Sequence, residues 1–239
     1  QNILNTIQSQ VYYTYNENEG SHKTGFSAMY GAWFPWITGG ASYTFSRKVS
    51  DSVRTIRWNE LNANIGLSLP LDLTKGRWYK NLTLASSFNA EQLNITGKYK
   101  DSIAGRLFHY LQFSVNWGSQ VQKAVQYINP HFAQTFLVRY RTVINDYNAS
   151  QLLASGSLYF PGIGINHSLV LSGAFQARDT ADQYRFSNNF PFARGYNSVD
   201  APRMWKGSAN YHFPLFYPDW GFAQLVYFSR IRANLFFDY

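Results

Sequence analysis

Residues 61–69 read Leu61-Asn62-Ala63-Asn64-Ile65-Gly66-Leu67-Ser68-Leu69, with apolar side chains at every odd position. The even positions hold amides, a glycine and a hydroxyl. Successive side chains on a strand point to opposite faces, so this stretch has one oily side and one hydrogen-bonding side. A helix, with its period of about 3.6, would scatter the same residues around its axis. Two-sided chemistry of this kind suits a wall with hydrocarbon on one side and water on the other.

Ten further segments repeat the pattern in whole or in part. The first is weak (Val11, Tyr13, Tyr15), followed by Phe26, Ala28, Tyr30 and Phe34, then by Ile37, Ala41, Tyr43 and Phe45. Beyond the opening stretch come Leu82, Leu84 and Phe88, then Leu107, Leu111, Phe113, Val115 and Trp117. Residues 132–140 set Phe136 and Val138 against Arg139 and Arg141. Leu152 to Phe160, Leu169 to Phe175, Trp205 to Leu215 and Ile231 to Phe237 complete the series. Residues 119–127 and 219–228 stay open between loop and helical turn. The expected fold is all-β, an antiparallel transmembrane β-barrel of which about eleven strands are visible.

Composition points the same way. The chain of 239 residues is expected to form a single domain, 1–239, with no linker composition inside it. Aromatics reach 18% while charged residues are 14%, against about a quarter in soluble domains. Mean hydropathy is only −0.31, so Asn, Gln, Ser, Thr and Tyr supply the polarity. No apolar run approaches the roughly 20 residues of a spanning helix, which leaves strands as the means of crossing. Lipid offers an open sheet edge nothing to bond to, so such strands must close. Cysteine is absent, which excludes disulfides and thiolate metal sites. The net charge of +8 is scattered, with no basic block, so nucleic acid is not an expected partner. Acidic lipid headgroups are. Gln1-Asn2-Ile3-Leu4 lacks the basic-then-apolar pattern of a secretory leader, and the chain reads as mature or excised from a longer one.

The connections are expected to alternate in length, short at 34–36, 69–71, 161–162 and 213–219, and long at 16–24, 47–54, 90–103, 142–150 and 177–203. Outer-membrane barrels carry short periplasmic turns and long external loops, so this order gives an orientation. Trp33, Trp36, Trp78, Tyr159, Phe216, Tyr217 and Trp220 cluster beside the short turns, as an interfacial girdle would. The competing architecture is a soluble sandwich or lipocalin-like barrel, in which the apolar faces would form the core. Eleven is an odd count where bacterial barrels are even, so the expectation is a wall incomplete at both ends or finished by another chain.

The longest connection contains Phe192-Ala193-Arg194-Gly195-Tyr196, bracketed by Pro191 and Pro202. Gly195 permits a tight bend there. Asp238 lies on the water side of the last strand, because Ile231 to Phe237 take the other side. A loop folded into the lumen sets Arg194 against Asp238 as a bidentate, charge-assisted pair. The alternative is an ordinary solvated arginine.

Arg194-Gly195-Tyr196 resembles the Arg-Gly-Phe/Tyr motif in the sixth external loop of the BamA/TamA-like outer-membrane barrel superfamily, which comprises barrel-assembly and two-partner-secretion transporters. Phe236-Phe237-Asp238-Tyr239 is similar to the start of that superfamily's Phe-x-Asp-x-Gly motif. Ala193 departs from the β-branched residue common before the arginine, and these residues include no POTRA-type periplasmic domain. The resemblance implies a sixteen-stranded barrel of which these are the third to thirteenth strands. It also implies that Arg194, Gly195, Tyr196, Phe236 and Asp238 hold the loop in the lumen. It places the chain in the outer membrane of a Gram-negative bacterium, acting in insertion or translocation of outer-membrane or surface proteins. The implied partners are membrane lipids, lipopolysaccharide, client barrel proteins and other envelope assembly subunits.

Two other readings stay open: a passive pore or scaffold sharing the barrel, and an outer-membrane hydrolase. Acyl transfer needs a nucleophile and base within hydrogen-bond reach. The best pair is Ser208 with His212 on one strand face, since His109 shares the register of Leu107 and Leu111. No Gly-x-Ser-x-Gly, His-Glu-x-x-His or P-loop occurs. The expectation is a non-enzyme with no cofactor and no metal.

Overall fold

The computed structural model describes residues 6–50, 55–100, 105–124, 127–145, 148–179, 186–197, 199–222 and 226–239. Wherever side chains alternate, the backbone is a strand. The first five are β1 (Ile7–Asn16), β2 (Ser21–Tyr30), β3 (Trp36–Ser50), β4 (Thr55–Asp72) and β5 (Trp78–Thr96). Then come β6 (Arg106–Val121), β7 (Ala133–Val143), β8 (Ser150–Pro161), β9 (Ser168–Arg178) and β10 (Arg203–Phe216). Each pairs antiparallel with the one before it. β11 (Trp220–Phe222) and β12 (Val226–Phe228) form a separate hairpin, and β13 (Ile231–Asp238) then joins β10. The result is an eleven-stranded antiparallel sheet, open between β1 and β13. Nine of its strands precede the 179–202 connection and two follow it.

Pairing registers turn the sequence alternation into continuous rows. On one face Ile65 lies opposite Phe88, and Phe88 opposite Leu111. Another row runs from Leu84 through Val115, Val138, Ala154 and Phe175 to Trp205. This face has no protein cover: Ile65 is 61%, Trp205 64% and Phe237 69% exposed. Among the described residues no second sheet packs on it. The opposite face carries Asn62, Asn64, Asn89, Gln112, Ser155, Ser172 and Asn210.

Several expected boundaries move. β3 continues to Ser50 and β5 to Thr96, so residues 47–50 and 90–96 are ladder rather than loop. The oily alternation fades there while the backbone bonds continue, which is why composition alone reads them as loop. The connection between β1 and β2 shrinks to residues 17–20, turned by Gly20 at φ 63°. Pro70 lies within β4, past the last residue paired with β3 (Ser68), so its missing N–H breaks no bond on that side. Pro214 likewise lies past the last pair between β10 and β9, and the register with β13 shifts beside it.

The strict alternation of short and long connections does not hold. Residues 122–132 and 217–230 are both long, and the second contains the β11–β12 hairpin instead of a helical turn. Residues 119–121 complete β6.

Close packing within the sheet shows at Gly156, where an added Cβ would lie 2.6 Å from the Phe136 ring and 2.9 Å from the Thr135 carbonyl. The ring covers the glycine directly across the strand pair. Gly207, on the same face, has nothing within 4 Å of that position. Gly156→Val is therefore expected to cost about 1–3 kcal/mol in urea unfolding of the purified protein. Gly207→Val should leave stability within about 0.5 kcal/mol. Equal losses at the two sites would contradict the register.

Candidate functional site

The polar face is crossed by the connection between β9 and β10, and a cluster of buried side chains lies beneath it. β9 supplies Ala174, Gln176 and Arg178 on this face, the register opposite to Leu169, Leu171, Gly173 and Phe175. Ala174, Phe190 and Met204 form a small buried cluster, with Phe192 and Ala201 packed against it. Around it the loop backbone is held by side chains. The Gln151 amide donates to the Ser187 carbonyl (3.1 Å) and to Gln176 Oε1 (3.3 Å). Gln176 in turn donates to Asn188 Oδ1 (3.0 Å), which also accepts the Phe190 N–H (2.9 Å).

Arg178 is the central post. Its side chain is 1% exposed. The guanidinium donates to the Phe186 carbonyl (3.2 Å) and the Ala201 carbonyl (2.9 Å), and it is ion-paired with Asp200. Its backbone N–H donates to the Pro202 carbonyl (2.7 Å). One guanidinium thus clamps both legs of the loop.

At the loop's far end the structure brings Arg194 and Asp238 together. Arg194 Nε donates to Asp238 Oδ2 (2.8 Å) and Nη2 to Oδ1 (3.0 Å), the two-pronged geometry of a guanidinium–carboxylate pair. The Arg194 backbone N–H donates to the same carboxylate (3.0 Å). Nη2 also donates to Asn210 Oδ1 (2.7 Å). The guanidinium carbon stands 3.7 Å from the centre of the Phe236 ring, a cation–π contact. The arrangement follows from register. Phe236 and Asp238 are two apart on β13 and share a face, and Asn210 is directly opposite Phe236. Asp238 is 5% exposed and Arg194 46%, so the carboxylate is covered while the arginine keeps contact with solvent. Hydrogen bonding to Asp238 raises the Arg194 guanidinium above its already high ordinary value.

Gly195 makes the bend, at φ 81°, and has nothing within 4 Å of a would-be Cβ. Tyr196 is 64% exposed, and its backbone N–H donates to the Ala193 carbonyl (3.4 Å). Arg194, Phe236 and Asp238 thus converge, Gly195 shapes the turn, and Tyr196 stands apart. Sequence reasoning missed Asn210, Gln151, Gln176 and Arg178. A signal for the last two existed: long polar side chains on the water-facing register of β9, beside the loop they hold.

Ser208 and His212 share a face of β10 but are four residues apart. At about 3.3 Å per residue that separation is about 13 Å along the strand, beyond proton-transfer reach. The pair does not form a nucleophile–base couple.

No known protein-family profile matches the chain, and no curated protein matches it.

Removing either clamp should release the loop. Arg178→Met leaves the buried Phe186 carbonyl and the part-buried Ala201 carbonyl without this donor and is expected to cost about 1–3 kcal/mol, read by urea unfolding. Arg194→Ala should make residues 186–197 more sensitive to added protease than wild type, with the ladder intact. Unchanged protease resistance in Arg194→Ala would show that the pair does not hold the loop.

Proposed function

We propose that this chain is wall of a transmembrane β-barrel in the outer membrane of a Gram-negative bacterium, where it acts in inserting or translocating other outer-membrane or surface proteins. The observation that carries the reading is the pairing of an uncovered apolar face with a loop fastened to the opposite, polar face by Arg194 and Asp238. The first property is what hydrocarbon requires of a wall. The second is what the resemblance implies for the sixth loop of BamA/TamA-like barrels. The position of the loop, after nine ladder strands and before the last two, fits the same register.

In this reading the apolar rows contact lipid and the polar face lines the lumen. A membrane strand needs about 9–11 residues. β4 and β5 have 18 and 19, so they project beyond the bilayer on the side of the long loop. The tethered loop fills part of the lumen and props the wall around it. No side-chain chemistry is needed for insertion. A client strand binds by backbone hydrogen bonds to a weakly paired seam, as any exposed sheet edge invites. The resemblance puts that seam between the first and last strands of the whole barrel, outside the eleven described here.

The test is refolding of a client. The full-length protein, reconstituted in phospholipid vesicles, should accelerate the appearance of protease-resistant barrel from a urea-denatured outer-membrane protein, relative to empty vesicles. A rate equal to that of empty vesicles, together with steady conductance across a planar bilayer, would favour the passive pore.

A further inference from the structure

The connection from residue 217 to 230 lies at the end of the sheet where turns are expected to be short, and it does something a turn need not do. It builds a second, two-stranded sheet. Trp220 pairs with Phe228, Gly221 with Tyr227 and Phe222 with Val226. Directly opposite residues share a face, as do positions two apart, so Trp220, Val226 and Phe228 are on one side of this hairpin. Tyr227 is on the other, its hydroxyl bonded to Asp219. The hairpin is therefore two-faced, like the main sheet. Its apolar side is open: Val226 is 50% and Phe228 45% exposed, with the Trp220 ring stacked on Phe228. A hairpin of three residues per strand is not stable in water on its own and needs something against its oily side.

Charge indicates what that something is. The connections at this end of the sheet are 31–35, 73–77, 122–132, 162–167 and 217–230. Together they carry four cations, Lys75, Arg77, Lys123 and Arg230, against the single carboxylate of Asp219. The connections at the opposite end carry eight carboxylates against five cations. The connections at the turn end are basic and aromatic; those at the opposite end are acidic, with cations confined more to the adjoining strand ends (Arg47, Lys48, Arg57, Arg106, Arg178, Arg203). Trp, Tyr and Phe beside cations is the chemistry that recognises the headgroup layer of a bilayer. Anionic headgroups attract such a rim.

We propose that the 217–230 hairpin and the basic rim around it form a seat for an anionic phospholipid leaflet, with Trp220, Val226 and Phe228 lying at headgroup depth. The inference rests on the barrel reading, since only a spanning wall brings this rim to a bilayer. The hairpin anchors the turn end of β10 and β13, the two strands that hold Asn210 and Asp238 beneath Arg194. The seat therefore steadies the same strands that fasten the loop.

Residues 1–239 contain no cysteine, so a label site can be placed anywhere among them. Single-cysteine variants Phe228→Cys and Val226→Cys of the full-length protein are labelled with a small fluorophore and reconstituted in vesicles of phosphatidylcholine alone or with a quarter phosphatidylglycerol. Phe113→Cys, on the apolar face of β6, serves as the mid-bilayer control. The 228 and 226 labels are expected to be quenched more by a headgroup-level nitroxide lipid than by a mid-chain one, with the difference larger in phosphatidylglycerol. Replacing Lys75, Arg77 and Arg230 by glutamine should remove that lipid dependence. Labels at 226 and 228 reached by aqueous iodide and by no lipid quencher, while the 113 label is quenched mid-chain, would overturn the seat and leave the barrel standing. Labels shielded from both would mean that a protein covers the hairpin, which also overturns it. A 113 label that no lipid quencher reaches would overturn the barrel reading and the seat together.

Discussion

The uncovered apolar face is the constraint from which the other features follow. Burial of apolar surface contributes about 25 cal/mol per Å², and a sheet of eleven strands with one oily side cannot forgo it. The polar face cannot supply a core either, because Asn62, Asn64, Asn89 and Gln112 hold positions that would otherwise pack. On the proposed reading, an apolar solvent completes such a sheet. In that solvent every backbone N–H and C=O must be paired, which the unbroken antiparallel ladder from β1 to β10 and on to β13 provides across its interior. The two edges remain, and a membrane wall would pair them with further strands.

With the apolar side chains on the uncovered face, the polar face is ordered largely by hydrogen bonds and ion pairs. The 179–202 connection shows how. Arg178 clamps the legs of the loop, the amides of Gln151, Gln176 and Asn188 hold its backbone, and Arg194 fastens its far end to Asp238. The two arginines have different surroundings. Arg178 is buried and serves carbonyls, so it acts as a fixed structural post. Arg194 is half open to solvent and grips a covered carboxylate from above, with Phe236 beneath the guanidinium. A half-exposed pair of this kind holds geometry more than it adds stability, since water screens it. The loop is thus positioned firmly without being sealed in.

Much of this was legible in the amino-acid sequence, for a simple reason. Period-two alternation reports which face a residue takes, and faces are what a two-sided sheet specifies. Leu61 to Leu69, Phe113 and Trp205 fall where the alternation puts them, and Asp238 shares a face with Asn210 as parity requires. Strand ends were not legible. In residues 47–50 and 90–96 the ladder continues after the oily rows have stopped, and backbone hydrogen bonds leave no trace in side-chain type. Prolines misled for the same reason, because Pro70 and Pro214 sit where one neighbouring strand has already ended. Arg178 was missed because its role depends on carbonyls from Phe186 and Ala201, which no residue type announces.

The most direct measurement is a spin-label scan through residues 61–69 of β4 and 82–89 of β5, one cysteine at a time, in reconstituted vesicles. Collision with oxygen reports hydrocarbon and collision with a water-soluble nickel chelate reports the aqueous side. The account predicts that the two accessibilities oscillate with a period of two and opposite phase. Oxygen should be high at Leu61, Ile65, Leu67, Leu84 and Phe88, and nickel high at Asn62, Asn64, Thr83 and Asn89. If the odd positions of β4 were shielded from both reagents, or reached by nickel as readily as Asn64, the apolar face would not be in lipid and the account would be wrong.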